Sequence, residues 1–149
     1  MVKGLLIRPF RIEDTDVVLA LWQEAGLSQW DTRPRTSIQK KLAHSPGSFL
    51  VGMMDSRVVA TVMVGYDGLR GWLYRLAVAP DYQRRGIGRS MVEKAESWLR
   101  EQGCLKAKLQ IEERAADSVE FYRKLGYEVQ PLVSMGKWLA AEDSEETKR

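Results

Sequence analysis

An apolar stretch is stopped by Pro80, a short basic turn follows, and two glycines then open an amphipathic helix. The segment reads Leu76-Ala77-Val78-Ala79-Pro80-Asp81-Tyr82-Gln83-Arg84-Arg85-Gly86-Ile87-Gly88-Arg89-Ser90. Strand, turn and helix in this order bring a strand end and a helix N-terminus together. Gly86 and Gly88, having no side chains, let a bulky anion come close to the backbone. The first N–H groups of a helix lack internal partners, and the helix dipole adds partial positive charge there. Arg84, Arg85 and Arg89 add full charges. Such a terminus suits a phosphate or pyrophosphate. Taken alone, the basic hexapeptide also fits a loop that simply enters a surface helix.

The motif is neither of the commoner glycine loops. A P-loop needs Lys followed by Ser or Thr after its last Gly, and here Arg89-Ser90 follows without that Lys. The dinucleotide fingerprint needs a third Gly and an acidic residue downstream. The pattern Gln83-Arg84-Arg85-Gly86-Ile87-Gly88, preceded by Leu76-Ala77-Val78-Ala79-Pro80, instead resembles the acetyl-CoA motif of the GNAT N-acetyltransferases.

The rest of the chain narrows the choice. At 149 residues it has room for one domain with one core. With 44% apolar and 29% charged residues it has the balance of a soluble globular protein. The longest apolar run, Val58 to Val64, is far too short to span a bilayer. Leu5-Leu6-Ile7, closed by Arg8-Pro9, reads as a strand and not as a signal peptide, so a cytoplasmic protein without membrane contact is expected. The single Cys104 follows Gly103 at the start of an apolar segment and reads as a small core residue. The single His44 without a Cys cluster leaves no metal site and no Ser-His-Asp triad to expect. Net charge is only +3, from 23 basic and 20 acidic residues scattered along the chain. A nucleic-acid partner is therefore not expected, because such proteins concentrate their charge and interleave it with aromatics.

Periodicity and breakers give an order β-α-α-β-β-β-α-β-α-β. Strands are expected at Gly4–Phe10, Ser48–Met53, Val58–Tyr66, Trp72–Val78, Cys104–Ile111 and Tyr127–Trp138. Helices are expected from about Ile12 to Gly26, over Thr36–Ala43, from Gly86 to Gly103, and from an Asp117-Ser118-Val119-Glu120 capping box to Gly126. The short turns between the middle strands predict an antiparallel meander. The absence of polar alternation in Val58–Val64 predicts a strand covered on both faces. The fold class is thus α/β (α+β), a mixed, mostly antiparallel central sheet of about six strands flanked by about four helices. Residues 1–139 form the domain, and 140–149 a charged tail expected to be disordered.

The GNAT resemblance extends over residues 4–139. Its second anchor is Phe121-Tyr122-Arg123-Lys124-Leu125-Gly126-Tyr127, similar to the closing helix and turn of that family. The turn Tyr66-Asp67-Gly68-Leu69-Arg70-Gly71 is similar to that of the small stand-alone bacterial members called YpeA-like. The resemblance implies acetyl transfer from acetyl-CoA to an amine by direct attack in a ternary complex. It implies that the backbone of Arg84, Arg85, Gly86, Ile87, Gly88 and Arg89 holds the pyrophosphate. Leu76, Ala77 and Val78 would pair with the pantetheine arm, and Tyr122 would protonate the departing thiolate. The plain alternative for Tyr122 is a packing aromatic.

Two positions depart from the family pattern. Gln110 stands where relatives that modify ribosomal-protein N-termini carry a Glu base, and Ala115 stands where the family often has Asn. These departures leave a second reading open, a CoA-binding module or sensor of the same fold with little catalysis. Candidate replacement bases are Asp67, which also fits an ordinary Asp-Gly turn, and Glu112 and Glu113, which also fit a solvated strand end; the resemblance places Asp31 and Trp30 at the acceptor wall, where a solvated loop is the plain alternative. Trp30 and Asp31, with Tyr66 and Asp67, are the candidate acceptor-binding residues. Deprotonating a lysine-like amine at pH 7 costs about 4.6 kcal/mol, against about 1.4 kcal/mol for an α-amine. A site without an evident carboxylate base therefore points to a weakly basic amine, on a small molecule or a peptide. Either a monomer or a homodimer is compatible with the sequence, Trp138 and the last strand offering an edge for exchange.

Overall fold

The apolar run from Val58 to Val64 forms the middle of the sheet, as its lack of alternation requires. The computed structural model describes residues 2–27, 31–112 and 115–140. Along the chain come β1 (Leu6–Pro9), α1 (Thr15–Glu24), α2 (Pro34–His44), β2 (Phe49–Met54), β3 (Arg57–Tyr66), β4 (Gly71–Val78), α3 (Ile87–Glu101), β5 (Ala107–Leu109) and α4 (Ala116–Lys124). Short 3-10 turns stand at Ile12–Asp14 and Pro80–Tyr82. The five strands make one sheet in the order β1-β2-β3-β4-β5. The first three pairings are antiparallel, and β4 pairs β5 in parallel, as the α3 crossover between them demands.

The chain divides into two compact units, Met1–Leu109 and Gln110–Glu145. The first holds the whole sheet with α1, α2 and α3. On one face Trp22 of α1, Ile38 of α2 and Phe49, Val51 and Met63 of the sheet form a buried cluster. Within it the Phe10 and Phe49 rings stack at 4.3 Å, and Trp22 lies nearly parallel to Phe49 at 5.9 Å. The other face takes the apolar stripe of α3, Ile87, Met91, Val92, Ala95 and Leu99, all buried. Two strand glycines make that approach close. A Cβ at Gly52 would lie 3.0 Å from Met91 Sδ, and one at Gly71 would lie 2.6 Å from both Leu99 methyls.

Local signals set the boundaries. The helices α1, α3 and α4 each end at a glycine with positive φ (Gly26, Gly103 and Gly126). Each is closed by a Schellman pair: Leu27 N–H to Trp22 O, Cys104 N–H to Leu99 O, and Tyr127 N–H to Tyr122 O, at 2.8–3.0 Å. Asp55 and Ser56 both have positive φ (51° and 60°), the geometry of a two-residue hairpin turn between β2 and β3.

Three expectations need correction. Residues 127–138 form no strand, so the described residues hold five strands and not about six. A strand exists only through its ladder, and Pro131 removes one N–H from this segment. The strand expected over Cys104–Ile111 shrinks to Ala107–Leu109, because the Cys104 N–H is taken by the end of α3. Helix α4 begins at Ala116, and no side chain caps it; Asp117 lies inside the first turn, where its charge still favours the helix dipole. The expected tail beyond Ala140 lies outside the described residues.

Arg8 of β1 is pinned to the turn that starts α1. Its Nη1 and Nη2 donate to both oxygens of Asp14 at 2.8 and 2.9 Å, and the Arg11 N–H donates to the same carboxylate at 2.8 Å. The Arg8 hydrogen bond is the main cause that holds Asp14 below the usual carboxylate range. The unfolded chain takes up the proton first as pH falls, so this contribution is complete above the ordinary carboxylate pKa of about 4 and is lost through the lowered folded value. Asp14→Asn is expected to cost about 1–3 kcal/mol at pH 7 in urea denaturation. The gap to wild type should close below about pH 4; an unchanged gap at pH 3 would contradict this role.

Candidate active site

Strand β4 changes neighbours half-way along. It stays on β3 to its end, with Ala60 opposite Val78 and Thr61 opposite Ala77, but its pairing with β5 runs only from Gly71 to Leu73. Between Thr61 and Met63 the register slips, one β3 residue facing two of β4. Arg75 sits in this bulge with φ of 57°. A buried relay fixes it: Trp22 Nε1 donates to Thr61 Oγ1 at 2.9 Å, and Thr61 Oγ1 donates to the Arg75 carbonyl at 2.8 Å. Beyond the bulge the Ala79 N–H donates to Val59 O at 2.8 Å, so alternation turns the N–H groups of Val78 and Leu76 toward the opposite, β5-side edge. Gln83 Nε2 meets the Val78 carbonyl there at 3.0 Å. Leu76 and Val78 thus present backbone groups at an edge that, among the described residues, no strand covers beyond Leu73.

Pro80 then starts the 3-10 turn. Its Tyr82 is buried, with the guanidinium groups of Arg57 and Arg85 5.8 and 5.0 Å from its ring centroid, and its hydroxyl donates to Asp55 at 3.0 Å. This anchors the basic turn on the β2–β3 hairpin. Arg84 (φ 63°) and Gly86 (φ 83°) are both left-handed, which folds the chain back into α3. The first α3 amide to find a carbonyl is that of Ser90, on Gly86 O at 3.1 Å. Among the described residues no acceptor meets the six N–H groups from Arg84 to Arg89. The buried Ile87 side chain plugs the start of α3 into the core. Gly88 is already the second residue of that helix, so of the two glycines only Gly86 is required by backbone conformation. Arg85 also donates to the Asp81 carbonyl, and Arg89 pairs with Glu93 at 2.8 Å. The exposed Arg84 side chain has no such partner among the described residues.

Asp31 is brought to this end of β4, and every oxygen is engaged. Oδ1 accepts from the Arg33 N–H at 2.8 Å, and Oδ2 accepts from Ser37 Oγ at 2.7 Å and from Arg75 Nη2 at 3.1 Å. Arg75 in turn holds the Leu27 carbonyl at 2.8 Å and lies 5.0 Å over the Trp22 ring. The segment after α1 is thereby tied to the bulge, a link no local sequence pattern announces. The one visible signal was Thr61, the lone hydroxyl in an apolar run. Trp30 and Glu113 lie outside the described residues.

Tyr66 and Asp67 stand at the other end of the β3–β4 hairpin, roughly 20 Å along β4 from Val78. Asp67 Oδ1 accepts the N–H groups of Leu69 and Arg70, both at 2.8 Å, and these bonds hold it below the usual carboxylate range. A carboxylate lowered in this way is a weaker base. Tyr66 donates to Gly68 O within the same turn.

In the second unit Tyr122 lies in the last turns of α4, edge-on to Phe121 at 4.9 Å and to Tyr127 at 5.7 Å. Burial pushes its phenol up to about 12. Its hydroxyl meets no hydrogen-bond partner among the described residues, and no fully buried side-chain polar atom is left unsatisfied, so the oxygen keeps some access to solvent. Gln110 Nε2 donates to Ser134 Oγ at 2.6 Å, and Ala115 is the N-cap residue of α4.

The profile of the acetyltransferase (GNAT) family matches residues 15–127. The chain belongs to that family. An acetyltransferase of Pectobacterium atrosepticum is 38% identical over 133 residues, 89% of this chain and 94% of its own. Among solved structures, Ard1 from Thermoplasma volcanium superposes with a TM-score of 0.77 at 24% identity, covering 85% of this chain and 84% of its own. The PaiA N-acetyltransferase of Thermoplasma acidophilum, solved in complex with coenzyme A, gives 0.70 at 21% identity over 87% of this chain and 92% of its own. The GNAT fold expected from the sequence is therefore present, and the chain is an acetyl-CoA-dependent N-acyltransferase. No described helix is long and apolar enough to cross a membrane. Among the described residues no His, Cys, Asp or Glu group gathers as a metal site would require.

If the Trp22–Thr61–Arg75 relay sets the bulge, removing its central hydroxyl leaves a buried indole N–H and a carbonyl unsatisfied. Thr61→Val is expected to destabilise the enzyme by about 2–4 kcal/mol. Thr61→Ser should recover most of this. Denaturant unfolding checks both, and a Thr61→Val enzyme as stable as wild type would show the relay to be idle.

Proposed function

We propose that this acetyltransferase acts on an α-amine or another weakly basic primary amine, of a small molecule or a peptide N-terminus, by direct attack in a ternary complex. The observation that carries the reading is the run of six N–H groups from Arg84 to Arg89, at the start of a fifteen-residue helix, that meet no acceptor among the described residues. Such a run, with a helix dipole behind it and arginines around it, matches the charge and acceptor geometry of a pyrophosphate. The residues present thus fit coenzyme A. Arg84 to Arg89 would hold the diphosphate, and the free edge at Leu76, Ala77 and Val78 would take the pantetheine amides as a short added strand. Acetyl-CoA supplies the acetyl group as a thioester, which the amine attacks with loss of the thiolate.

Protein groups act on the two proton movements. Tyr122, with its phenol pushed up to about 12, stays an O–H donor through the neutral range. Full transfer to a thiolate of pKa about 8.5 would be uphill by roughly 5 kcal/mol, so Tyr122 acts mainly by hydrogen bonding the departing sulfur. On the amine side, Asp31 is occupied by three donors and Asp67 by its own turn. With Gln110 in place of a Glu, the amine proton leaves to water, which favours acceptors already part deprotonated at neutral pH. The same reading takes the protein as cytoplasmic, working as a monomer or homodimer without nucleic-acid or metal partners.

The test is acetyl-CoA turnover against a panel of amines. The α-amines should exceed lysine side chains in kcat/KM, and faster acetylation of free lysine side chains than of every α-amine would overturn the acceptor assignment. Tyr122→Phe is expected to lower kcat about 10²- to 10⁴-fold with little change in KM for acetyl-CoA. The wild-type alkaline limb should show no loss from Tyr122 ionisation up to pH 10. An active Tyr122→Phe enzyme would remove Tyr122 from the chemistry.

A further inference from the structure

Lys41, in the last turn of α2, is 8% exposed. Its Nζ donates to the Val64 carbonyl and lies 5.3 Å from the centroid of the Tyr74 ring. Among the described residues no carboxylate pairs with it. The arginines on the same side of the sheet do have one: Arg8 has Asp14, Arg75 has Asp31, and Arg35 has Asp16. An ammonium withdrawn from water is costly unless a counter-charge or hydrogen bonds replace the lost hydration. One carbonyl and one ring face leave N–H capacity unused on a group with three donors.

Tyr74 adds a second donor. Its hydroxyl has no hydrogen-bond partner among the described residues, although the ring is held by Lys41. Both groups converge over Gly65 of β3, where an added Cβ would lie 3.6 Å from the Tyr74 Oη and 3.7 Å from Lys41 Nζ. The missing side chain leaves a floor beneath two donors. A further ammonium, Lys108, lies 5.4 Å over Trp72, two residues before Tyr74 on β4. The pair is also close to the proposed chemistry, because Tyr74 immediately precedes the Arg75 bulge and stands two residues from Leu76.

We infer that Lys41 and Tyr74, over Gly65, form a carboxylate-binding pocket for the acceptor, so that the preferred amine carries an anionic group close by. This rests on the acetyl-transfer reading above and names the substrate class of that same site. An ammonium and a phenol O–H together match a carboxylate, which could belong to a free amino acid or to an acidic residue near a peptide N-terminus. Lys41 supplies charge and direction.

Matched acceptors separate the outcomes: free amino acids against their amides, and peptides beginning with Asp or Glu against those beginning with Asn or Gln. CoA release would be followed in wild type, Lys41→Gln, Tyr74→Phe, Gly65→Val and, as a control, the exposed neighbour Lys40→Gln. Calorimetry with acetyl-CoA would verify that each variant is folded. Wild type should prefer the anionic member about tenfold or more. Lys41→Gln should abolish that preference by loss on the anionic acceptor alone, Gly65→Val should block it sterically, and Lys40→Gln should keep it. Preference for free amino acids only, or for acidic peptides only, identifies the source of the carboxylate. If Lys41→Gln fails to fold, Tyr74→Phe and Gly65→Val decide. Amines turned over without regard to charge, or a preference that survives in Tyr74→Phe and Gly65→Val, would overturn the pocket while leaving acetyl transfer intact. Acetyl-CoA binding without release on any amine would overturn both.

Discussion

The bulge at Arg75 is the constraint around which the site is arranged. A regular β4 would run on between β3 and β5, and its backbone would be spent in two ladders. Slipping the register by one residue lets β4 stay on β3 while it parts from β5 after Leu73. A left-handed arginine costs on the order of 1–3 kcal/mol. Here it is held from three directions, by the Thr61 hydroxyl on its carbonyl, by Asp31 and Leu27 on its guanidinium, and by the Trp22 ring beneath. The outcome is a strand end whose Leu76 and Val78 backbone groups face away from β3 just before the chain enters the basic turn.

The basic turn and the start of α3 complete one electrostatic surface with that strand end. Tyr82, with Arg57 and Arg85 near its ring and its hydroxyl bonded to Asp55, fixes the turn to the β2–β3 hairpin, and Ile87 fixes the first turn of α3 in the core. Around these two anchors the amides of residues 84–89 are held in place with no acceptor among the described residues. Preorganised donors of this kind bind an anion without reordering the backbone. The arginines differ in availability: Arg85 and Arg89 already have partners, whereas Arg84 is exposed with none among the described residues.

Much of this was legible in the sequence because it depends on neighbouring residues. The strand-Pro-Arg-Gly segment, the helix-ending glycines at 26, 103 and 126 and the two-sided strand around Val58–Val64 are written in local chemistry, and the antiparallel order of the middle strands follows from their short turns. Long-range pairings were not legible. Nothing near Asp31 in sequence points to Arg75, 44 residues on, and nothing near Lys41 points to Tyr74. Apolar residues such as Val129, Val133 and Trp138 satisfy a strand pattern without forming the final strand, because a strand also needs a ladder partner that the pattern cannot supply. Asp67 shows the reverse case, a carboxylate at a suggestive position that the structure uses to tighten its own turn.

On the proposed reading, the backbone donors of Leu76, Val78 and Arg84 to Arg89 would hold coenzyme A. An amide nitrogen–proton correlation spectrum taken during titration with acetyl-CoA addresses these groups one by one. Saturable shifts should concentrate at Leu76, Val78 and residues 84–89, with the far end of the β3–β4 hairpin near Asp67 unmoved. Saturable binding that leaves residues 84–89 in place and shifts amides elsewhere would contradict it.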